Sequence, residues 1–162
     1  MSPRAAWRLE TLGFDAYDYV AGKADWLAFG LPYEGDATLA GGHLTTDVAT
    51  CSVDDRLADI AAQLEASRFG VLVVLNANGI VLGRLNRTAL DADHDHPVTD
   101  LMREGPTTVR PSEELGPLLE RMGNAEVDAV LVTRSDGRLL GMLERTVAQQ
   151  ALDEEEADDA DR

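Results

Sequence analysis

The sequence contains a single cysteine, Cys51, among its 162 residues. A disulfide within the chain is therefore excluded, and a reducing compartment is the simplest setting for a lone thiol. The sequence also lacks an apolar run long enough for a signal peptide or for a membrane-spanning helix. Together these absences predict a cytoplasmic protein that does not associate with a membrane.

Basic side chains are scarce. The chain holds 14 Lys and Arg residues against 30 Asp and Glu residues, so its formal net charge is −16. Such a chain is poorly suited to bind the phosphate backbone of nucleic acids, and we expect no nucleic-acid partner. Acidic residues are densest in residues 153–162, where like charges repel one another and no apolar residue larger than alanine is present, so a disordered acidic tail is predicted there.

The sequence also lacks the residue combinations that most enzymes need. No histidine paired with a nucleophile, no carboxylate pair and no phosphate-binding loop is recognisable. His94 and His96 lie among three aspartates, but the polar surroundings and Pro97 favour a solvated turn over a metal site. Cys51 is not placed in an anion-binding loop at the start of a helix, which predicts a buried structural thiol. We therefore expect no enzymatic activity and no metal.

What the sequence does contain is a repeat. Residues 77–88, ANGIVLGRLNRT, recur as residues 135–146, SDGRLLGMLERT, at an offset of 58 residues. At the same offset, both copies carry an upstream apolar stripe with the spacing of an amphipathic helix. The stripes are Leu57, Ile60, Ala61 and Leu64 in the first copy and Leu115, Leu118, Leu119 and Met122 in the second. Two units with the same fold are therefore predicted.

Each copy continues with two predicted strands joined by a tight turn. The first strand of each pair is an apolar, β-branched run that is typical of a strand buried on both faces. Asn-Gly in the first copy and Asp-Gly in the second accept positive φ, which predicts a hairpin. The predicted strands are residues 71–75 and 80–85 in the first copy and residues 129–132 and 138–143 in the second.

Gly83 and Gly141 interrupt the second strand of each unit. A glycine inside a strand marks a bulge, or a close approach by another backbone or by a ligand. A packing glycine is the alternative. Because the glycine occurs in both copies, we favour the edge of a pocket.

Between residues 45 and 152 the sequence resembles the cystathionine β-synthase (CBS) domains, which occur as tandem pairs called Bateman modules. The resemblance rests on Met102, on the Thr108-Val109-Arg110-Pro111 segment, on the Asp-Gly turn and on the Gly-x-x-x-x-Thr pattern that ends each second strand. It implies an α/β (α+β) fold of two pseudo-symmetric β-α-β-β-α repeats, at residues 45–92 and 97–152. It also implies binding of adenine nucleotides or related ligands in clefts between the repeats.

The resemblance further implies a set of candidate ligand contacts. They lie on the segments that lead into the repeats, at the starts of the first buried strands, and after Gly83 and Gly141. The set is Thr50, Cys51, Val71, Asn86, Arg87, Ala89, Thr108, Val109, Ala129, Glu144, Arg145 and Val147. Arg84 and Arg138 join Arg87 and Arg145 as candidates for phosphate contacts.

One feature of the family's site is missing. Family members commonly carry an aspartate that holds the ribose hydroxyls, whereas this sequence has Ala89 and Val147 at those places. The candidate ligands AMP, ADP and ATP are therefore expected to bind weakly or not at all. AMP or adenosine is favoured over ATP because the chain is acidic.

Residues 1–35 lie outside the repeat, and residues 36–44 are predicted to be a linker. The first segment predicts a helix at residues 3–12, a strand at residues 14–20 and a second helix at residues 23–29. It resembles the C-terminal part of a rhodanese (sulfurtransferase) domain. In that family the loop with the nucleophilic cysteine precedes the counterpart of Arg4, so the resemblance implies a non-catalytic fragment. Its aromatic side chains need a partner surface, on this chain's repeats, a second copy or another protein.

The leading prediction of function is a non-catalytic regulatory or sensor module that binds a small ligand between its repeats. The alternative is a structural or protein-interaction module without a small-molecule ligand, and a sulfurtransferase is the least favoured. A homodimer is expected, because two small units would leave their apolar helix stripes partly uncovered.

Overall fold

The computed structural model describes residues 8–16, 22–29, 31–33 and 37–160. Within them, helix α1, Gly22–Ala28, and a short 3-10 helix, Ala40–Gly42, precede the first repeat. The first repeat contains β1 (Thr50–Ser52), α2 (Leu57–Ala66), β2 (Val71–Leu75), β3 (Val81–Asn86) and a 3-10 helix (Arg87–Asp91). The second contains α3 (Val98–Leu101), β4 (Arg103–Glu104), β5 (Thr108–Val109), α4 (Leu115–Asn124), β6 (Ala129–Thr133), β7 (Leu139–Glu144) and α5 (Arg145–Ala160).

The strands form two sheets, ordered β1-β2-β3-β4 and β5-β6-β7. In each sheet a short leading strand runs parallel to the first strand of a hairpin, β1 to β2 and β5 to β6, and the hairpin strands are antiparallel. The hairpin turns contain Gly79 with φ 76° and Gly137 with φ 86°, as the two dipeptides predict. The predicted fold of two β-α-β-β-α-like repeats is confirmed.

The repeats meet at their hairpin turns. Ile80 pairs with Arg138, its counterpart at the offset of 58 residues. The amide of Val81 donates to Gly137 O at 3.1 Å, and the amide of Leu139 donates to Gly79 O at 3.1 Å. Because every partner in this exchange is the counterpart of another, a pseudo-two-fold axis passes between Ile80 and Arg138.

Each sheet also receives a segment that leads into the other repeat. Strand β4 leads into the second repeat, yet it pairs with β3 of the first. In the same way Thr45 leads into the first repeat, yet its amide and carbonyl exchange hydrogen bonds of 2.9 Å with Met142 in β7. This exchange joins the two repeats into one structure.

The exchanged segments explain the two strand glycines. A Cβ atom at Gly83 would lie 2.9 Å from Arg103 O, and one at Gly141 would lie 2.7 Å from Thr45 O. The pairing of both hairpins shifts register beside these glycines. The predicted bulge and close backbone approach are confirmed. The preferred interpretation as a pocket edge is wrong, because the space over each glycine is filled by the crossing backbone.

Most of each helix stripe is covered within a single chain. Three buried clusters form the core, one in each repeat and one between the sheets, where Val73, Leu131 and Met142 meet. Six of the eight stripe residues have exposed fractions of at most 4%: Leu57, Ile60 and Leu64, and Leu115, Leu118 and Met122. Ala61 and Leu119 are half-buried. The stripes are therefore largely but not fully covered within one chain, and the homodimer stays a prediction.

The acidic segment is helical where the structure describes it. Helix α5 starts in the core, with Ala148 and Ala151 buried, and continues to Ala160. The hydroxyl of Thr38 donates to the carboxylate of Glu155. The prediction of a disordered tail is wrong as far as Ala160, because extending an existing helix costs little compared with nucleating one.

The amino-terminal segment packs on the second repeat. Asp25 Oδ1 in α1 accepts a hydrogen bond of 2.9 Å from Ser135 Oγ, and the Arg134 guanidinium lies 4.3 Å from the centre of the Phe29 ring. Of the three predicted elements, the second helix is confirmed as α1, and residues 8–11 of the first are helical. Residues 14–16 are not a strand, and residues 17–20 of that prediction lie outside the described residues.

The predicted linker also contacts the second repeat. The amide of Ala40 donates to Glu113 O at 2.9 Å, and Ala40 is fully buried in the core of that repeat. The amide of Val98, its counterpart, donates to Asp55 O at 3.0 Å in the first repeat. The short helices that lead into the repeats are therefore exchanged like the strands that follow them.

Candidate functional site

A cleft with a volume of about 820 Å³ opens between the two repeats. The first repeat contributes Phe69, Val71 and Arg84, and the second contributes its leading loop, the inner face of α4 and the start of β6. Gly105 has φ 59° and precedes Pro106, so the chain turns sharply between β4 and β5 and leaves this space open.

The interior of the cleft is apolar. Val71 and Ala129, which are counterparts at the starts of the two central strands, both line it, together with Leu118 and Met122 of α4. Val71 and Ala129 are half-buried, whereas Leu118 and Met122 are 2% exposed and belong to the core of the second repeat. Thr108, which is half-buried, adds a hydroxyl group to the lining.

The charged residues of the cleft are balanced, whereas the chain as a whole carries −16. Three arginines and three acids line the opening: Arg84, Arg103, Arg121, Glu104, Glu113 and Asp128. Arg121 is paired with Glu113. Asp128 Oδ1 lies 3.2 Å from the guanidinium of Arg145, outside the cleft. Within the part of the chain that the structure describes, Arg84 and Arg103 form no ion pair or side-chain hydrogen bond.

The structure brings four of the twelve predicted contacts to this cleft: Val71, Thr108, Val109 and Ala129. Thr50 and Cys51 lie on β1, at the positions in the first repeat that Thr108 and Val109 occupy in the second. Asn86 ends β3 and is half-buried. These three residues do not line the cleft.

Of the four arginines predicted to meet phosphate, Arg84 lines the cleft, and the other three hold the chain's own groups instead. Arg87 Nη2 donates to Glu65 O at 3.1 Å and to Ser67 O at 2.8 Å, which ties down the end of α2. Arg145 Nη2 donates to Asp128 Oδ1 at 3.2 Å. Arg138 lies beside the acid of its own turn, with 3.5 Å between its Nε and Asp136 Oδ2. None of the three lines the cleft.

Glu144 is also engaged. Its Oε1 accepts a hydrogen bond of 3.1 Å from Thr45 Oγ1, and its Oε2 lies 2.9 Å from Arg68 Nη2.

The places of the missing aspartates are apolar. Ala89 is 9% exposed in the core of the first repeat, and Val147 is half-buried on α5. Neither position lines the cleft.

Cys51 is buried, with 7% of its surface exposed, as predicted. Burial, and secondarily the carboxylate of Asp55, raises the pKa of the Cys51 thiol to about 11. The thiol is therefore protonated at neutral pH, and a protonated thiol is a poor nucleophile.

Sequence reasoning missed Phe69, Arg103 and Arg121 in the cleft. The resemblance assigned contacts to each repeat separately, whereas Arg103 reaches the cleft because β4 crosses to the sheet of the first repeat. The sequence places Arg103 next to Met102 in the segment that leads into the second repeat. That position indicates a cleft residue only if it is known that β4 pairs with β3 of the first repeat.

The predicted solvated turn with the two histidines supports α2. The carbonyls of His94 and His96 accept hydrogen bonds of 2.8 and 3.0 Å from Ala58 N and Leu57 N. Among the described residues, no group of three or more His, Cys, Asp or Glu side chains is arranged to hold a metal ion. The helices in the described ranges include none that is long and apolar enough to span a bilayer.

Comparison with solved structures finds the same fold in several proteins. The chain superposes on the cytosolic domain of the Mg²⁺ channel MgtE in complex with ATP with a TM-score of 0.64 and 18% identity, covering 72% of this chain and 49% of the other. CBSX2 in complex with AMP gives a TM-score of 0.61 and 21% identity over 70% of this chain and 95% of the other. A CBS domain pair/ACT domain protein from Thermotoga maritima gives a TM-score of 0.61 and 16% identity over 72% of this chain and 98% of the other.

The chain spans about half the length of the first of these structures, and at such identities the likeness shows the fold alone. Comparison with curated proteins gives no match. The profile of the family described as CBS domain matches residues 40–90 and again residues 98–147. Both matches begin at the exchanged short helices, and the resemblance of residues 1–35 to a rhodanese domain stays a prediction. With more than half of its residues matched in two consecutive copies, the chain belongs to the CBS domain family and carries a tandem pair.

Proposed function

We propose that this chain is a non-catalytic regulatory module that binds a nucleoside or nucleotide in the cleft between its repeats. The observation that carries the proposal is the shared lining of the cleft. Val71 and Arg84 come from the first repeat, and Thr108 and Ala129 come from the second. A ligand there contacts both repeats at once, so its binding energy can favour one arrangement of the repeats over another.

The size and chemistry of the cleft support a ligand of this class. Its volume of about 820 Å³ falls within the usual range for small-molecule sites. An apolar interior with hydroxyl and guanidinium groups at the rim suits a flat base joined to a polar group. Adenine is the base we favour, because the similar structures of MgtE and CBSX2 were solved with ATP and AMP.

The missing ribose aspartates argue for modest affinity. A hydrogen bond to a charged group contributes roughly 1.5–3 kcal/mol, which corresponds to about 10- to 100-fold in the dissociation constant. We therefore place the affinity for AMP in the upper micromolar range.

Titration calorimetry with adenosine, AMP, ADP and ATP tests the proposal. Thr108→Ala removes a hydroxyl group from the cleft, and Thr50→Ala makes the same change at its counterpart on β1, outside the cleft. We expect the first variant to bind more weakly and the second to bind like the unchanged protein. No heat and no melting-temperature shift with any of the four compounds at millimolar concentration would contradict the proposal.

A second candidate function is protein interaction through the amino-terminal segment. Among the described residues, the large apolar side chains that are exposed lie there, at 36–66% exposure: Leu12, Phe14, Phe29, Leu31 and Tyr33. Single exposed apolar residues are ordinary, but a concentration of them in one segment is typical of a binding surface. Replacing Leu12 and Phe14 with serine should leave nucleotide binding and self-association unchanged and should lower the binding of a different partner protein, measured by light scattering of the mixture.

A further inference from the structure

Two arginines face each other directly at the mouth of the cleft. Arg84 in β3 is paired in register with Arg103 in β4, and both line the opening. Like charges directly opposite on neighbouring antiparallel strands destabilise a sheet. Neither guanidinium has an ion-pair partner among the described residues. Hydration accounts for one exposed arginine, but two unpaired arginines side by side favour an anion between them.

The other charged groups around the cleft leave this pair uncompensated. Arg121 is bound to Glu113, and Asp128 is bound to Arg145. Among the charged residues that line the cleft, Glu104 alone is left to oppose the two guanidinium groups, and it follows Arg103 directly in β4. Because Arg145 outside the cleft already neutralises Asp128, two arginines face one free carboxylate, in a chain with a net charge of −16.

The second repeat provides an internal comparison. By the offset of 58 residues, the counterparts of Arg84 and Arg103 are Met142 and Thr45, which form the same antiparallel pair on the other side of the pseudo-two-fold axis. That pair carries no charge. The position of Asn86 is taken there by Glu144, whose carboxylate is bound to Thr45 and Arg68. Among the described residues, one side of the pair of repeats therefore presents two arginines without an ion-pair partner, and the other presents a carboxylate that is already ion-paired.

We propose that Arg84 and Arg103 form a clamp for the anionic group of the cleft's ligand, and that the chain binds one phosphate-bearing ligand rather than two. This inference rests on the proposed function and narrows its ligand to a phosphate monoester or diphosphate. Guanidinium groups bind phosphate oxygens through paired hydrogen bonds, and two of them match a doubly charged group. The apolar interior beyond Val71 receives the rest of the ligand.

The test is titration calorimetry on the full chain with adenosine, AMP and inorganic pyrophosphate. Arg84→Met and Arg103→Thr each introduce the residue found at the counterpart position, so the fold already accommodates them in the second sheet. Arg138→Ala removes one positive charge outside the cleft and is the control. We expect AMP to bind about 10- to 100-fold more tightly than adenosine, at one site per chain. The two clamp variants should lose most of that difference, and the control should keep it.

The melting temperature of the ligand-free protein gives an independent readout. Because removing either arginine relieves the repulsion, Arg103→Thr should raise the melting temperature or leave it unchanged. A merely structural role predicts a lower melting temperature, and that outcome overturns the clamp.

The outcomes separate this inference from the proposed function. Equal affinities for adenosine and AMP, unchanged in both variants, overturn the clamp and leave nucleoside binding standing. Pyrophosphate binding at one site per chain that is lost in Arg84→Met supports the clamp, even if adenosine does not bind and the nucleotide assignment fails. Pyrophosphate or AMP bound at two equal sites per chain overturns the single-site inference, and no binding of any compound overturns both proposals.

Discussion

Ile80 and Arg138 occupy equivalent positions in the two repeats and pair with each other across the pseudo-two-fold axis. The contact forms where both hairpin turns project toward the axis, and backbone hydrogen bonds of 3.1 Å flank it on both sides. Together with the exchanged leading segments, this contact holds the two repeats side by side with the cleft between them. A ligand in the cleft would therefore contact both repeats.

The first prediction concerns the strand glycines. Gly83→Ala and Gly141→Ala should each lower the free energy of unfolding by about 1–3 kcal/mol, because the new methyl group meets a backbone carbonyl that cannot move aside. The distances involved are 2.9 Å to Arg103 O and 2.7 Å to Thr45 O. Urea unfolding measures the effect.

Gly116→Ala is the control for these variants. Gly116 lies in α4, and a Cβ atom there meets no atom within 4 Å. That substitution should raise stability by about 0.4–1 kcal/mol, because it restricts the unfolded chain. Strand variants as stable as the unchanged protein would show that the crossing segments are loosely held.

Features of the fold that depend on a short stretch of sequence were predicted correctly, and features that depend on contacts between distant residues were missed. The apolar run at residues 71–75 and the positive φ at Gly79 depend on short stretches of sequence, and the structure has β2 and the turn there. The crossing of β4 to the first repeat is a long-range pairing that no local pattern reveals. Arg103 was missed for that reason. The hydrogen bond of Arg87 to the end of α2 also depends on the folded backbone. The sequence alone therefore did not show that this arginine is occupied, and it was assigned to phosphate.

The second prediction concerns Cys51. Its pKa is about 11 in the folded protein and 9.0 for an ordinary thiol. The unfolded chain therefore loses its proton first, so this contribution to stability is complete below pH 9 and is lost as the pH rises towards 11. Val109 is the counterpart of Cys51 in the second repeat, so Cys51→Val should keep the fold. It should also reduce the loss of stability between pH 9 and 11. Thermal unfolding across that pH range measures the difference.

Sulfur transfer gives a functional check of the same thiol. A buried protonated thiol should not turn over thiosulfate and cyanide at neutral pH, and it should react slowly with alkylating reagents until the protein unfolds. Turnover that disappears in Cys51→Val would show that the thiol is a nucleophile after all.

The third prediction concerns the places of the missing aspartates. Ala89→Asp should destabilise the protein, by roughly 2–4 kcal/mol, instead of improving nucleotide affinity, because Ala89 is 9% exposed in the first core. Val147→Asp should be tolerated better, since Val147 is half-buried on α5. Urea unfolding and AMP titration of both variants measure these effects. A gain in AMP affinity in a stable Ala89→Asp variant would show that the carboxylate reaches the ribose from the core side.

The fourth prediction concerns the acidic end of α5. Removing residues 153–162 should lower the helical circular dichroism signal, because residues 153–160 are helical. Raising the salt concentration should strengthen that signal in the full chain, since it screens the repulsion between neighbouring acids. Glu155→Gln, which keeps a hydrogen-bond acceptor for Thr38, should retain most of the helix. A truncated chain with an unchanged helical signal would show that the acidic segment is disordered in solution.

The last prediction concerns self-association. Since most of each inner stripe is buried, we place the dimer contact on an outer helix face, where α2 exposes Ala58, Ala62 and Ala66 one turn apart. Small side chains let two helices approach closely, and two-fold dimers are the commonest assemblies of identical chains. Light scattering should give about 35 kDa, twice the chain mass of 17.5 kDa. Ala62→Arg should reduce that mass to that of one chain, whereas Ala77→Arg, the same change on an exposed turn, should not. A mass of one chain for the unchanged protein at micromolar concentration would contradict the dimer, and equal masses for the two variants would show that α2 is not the contact surface.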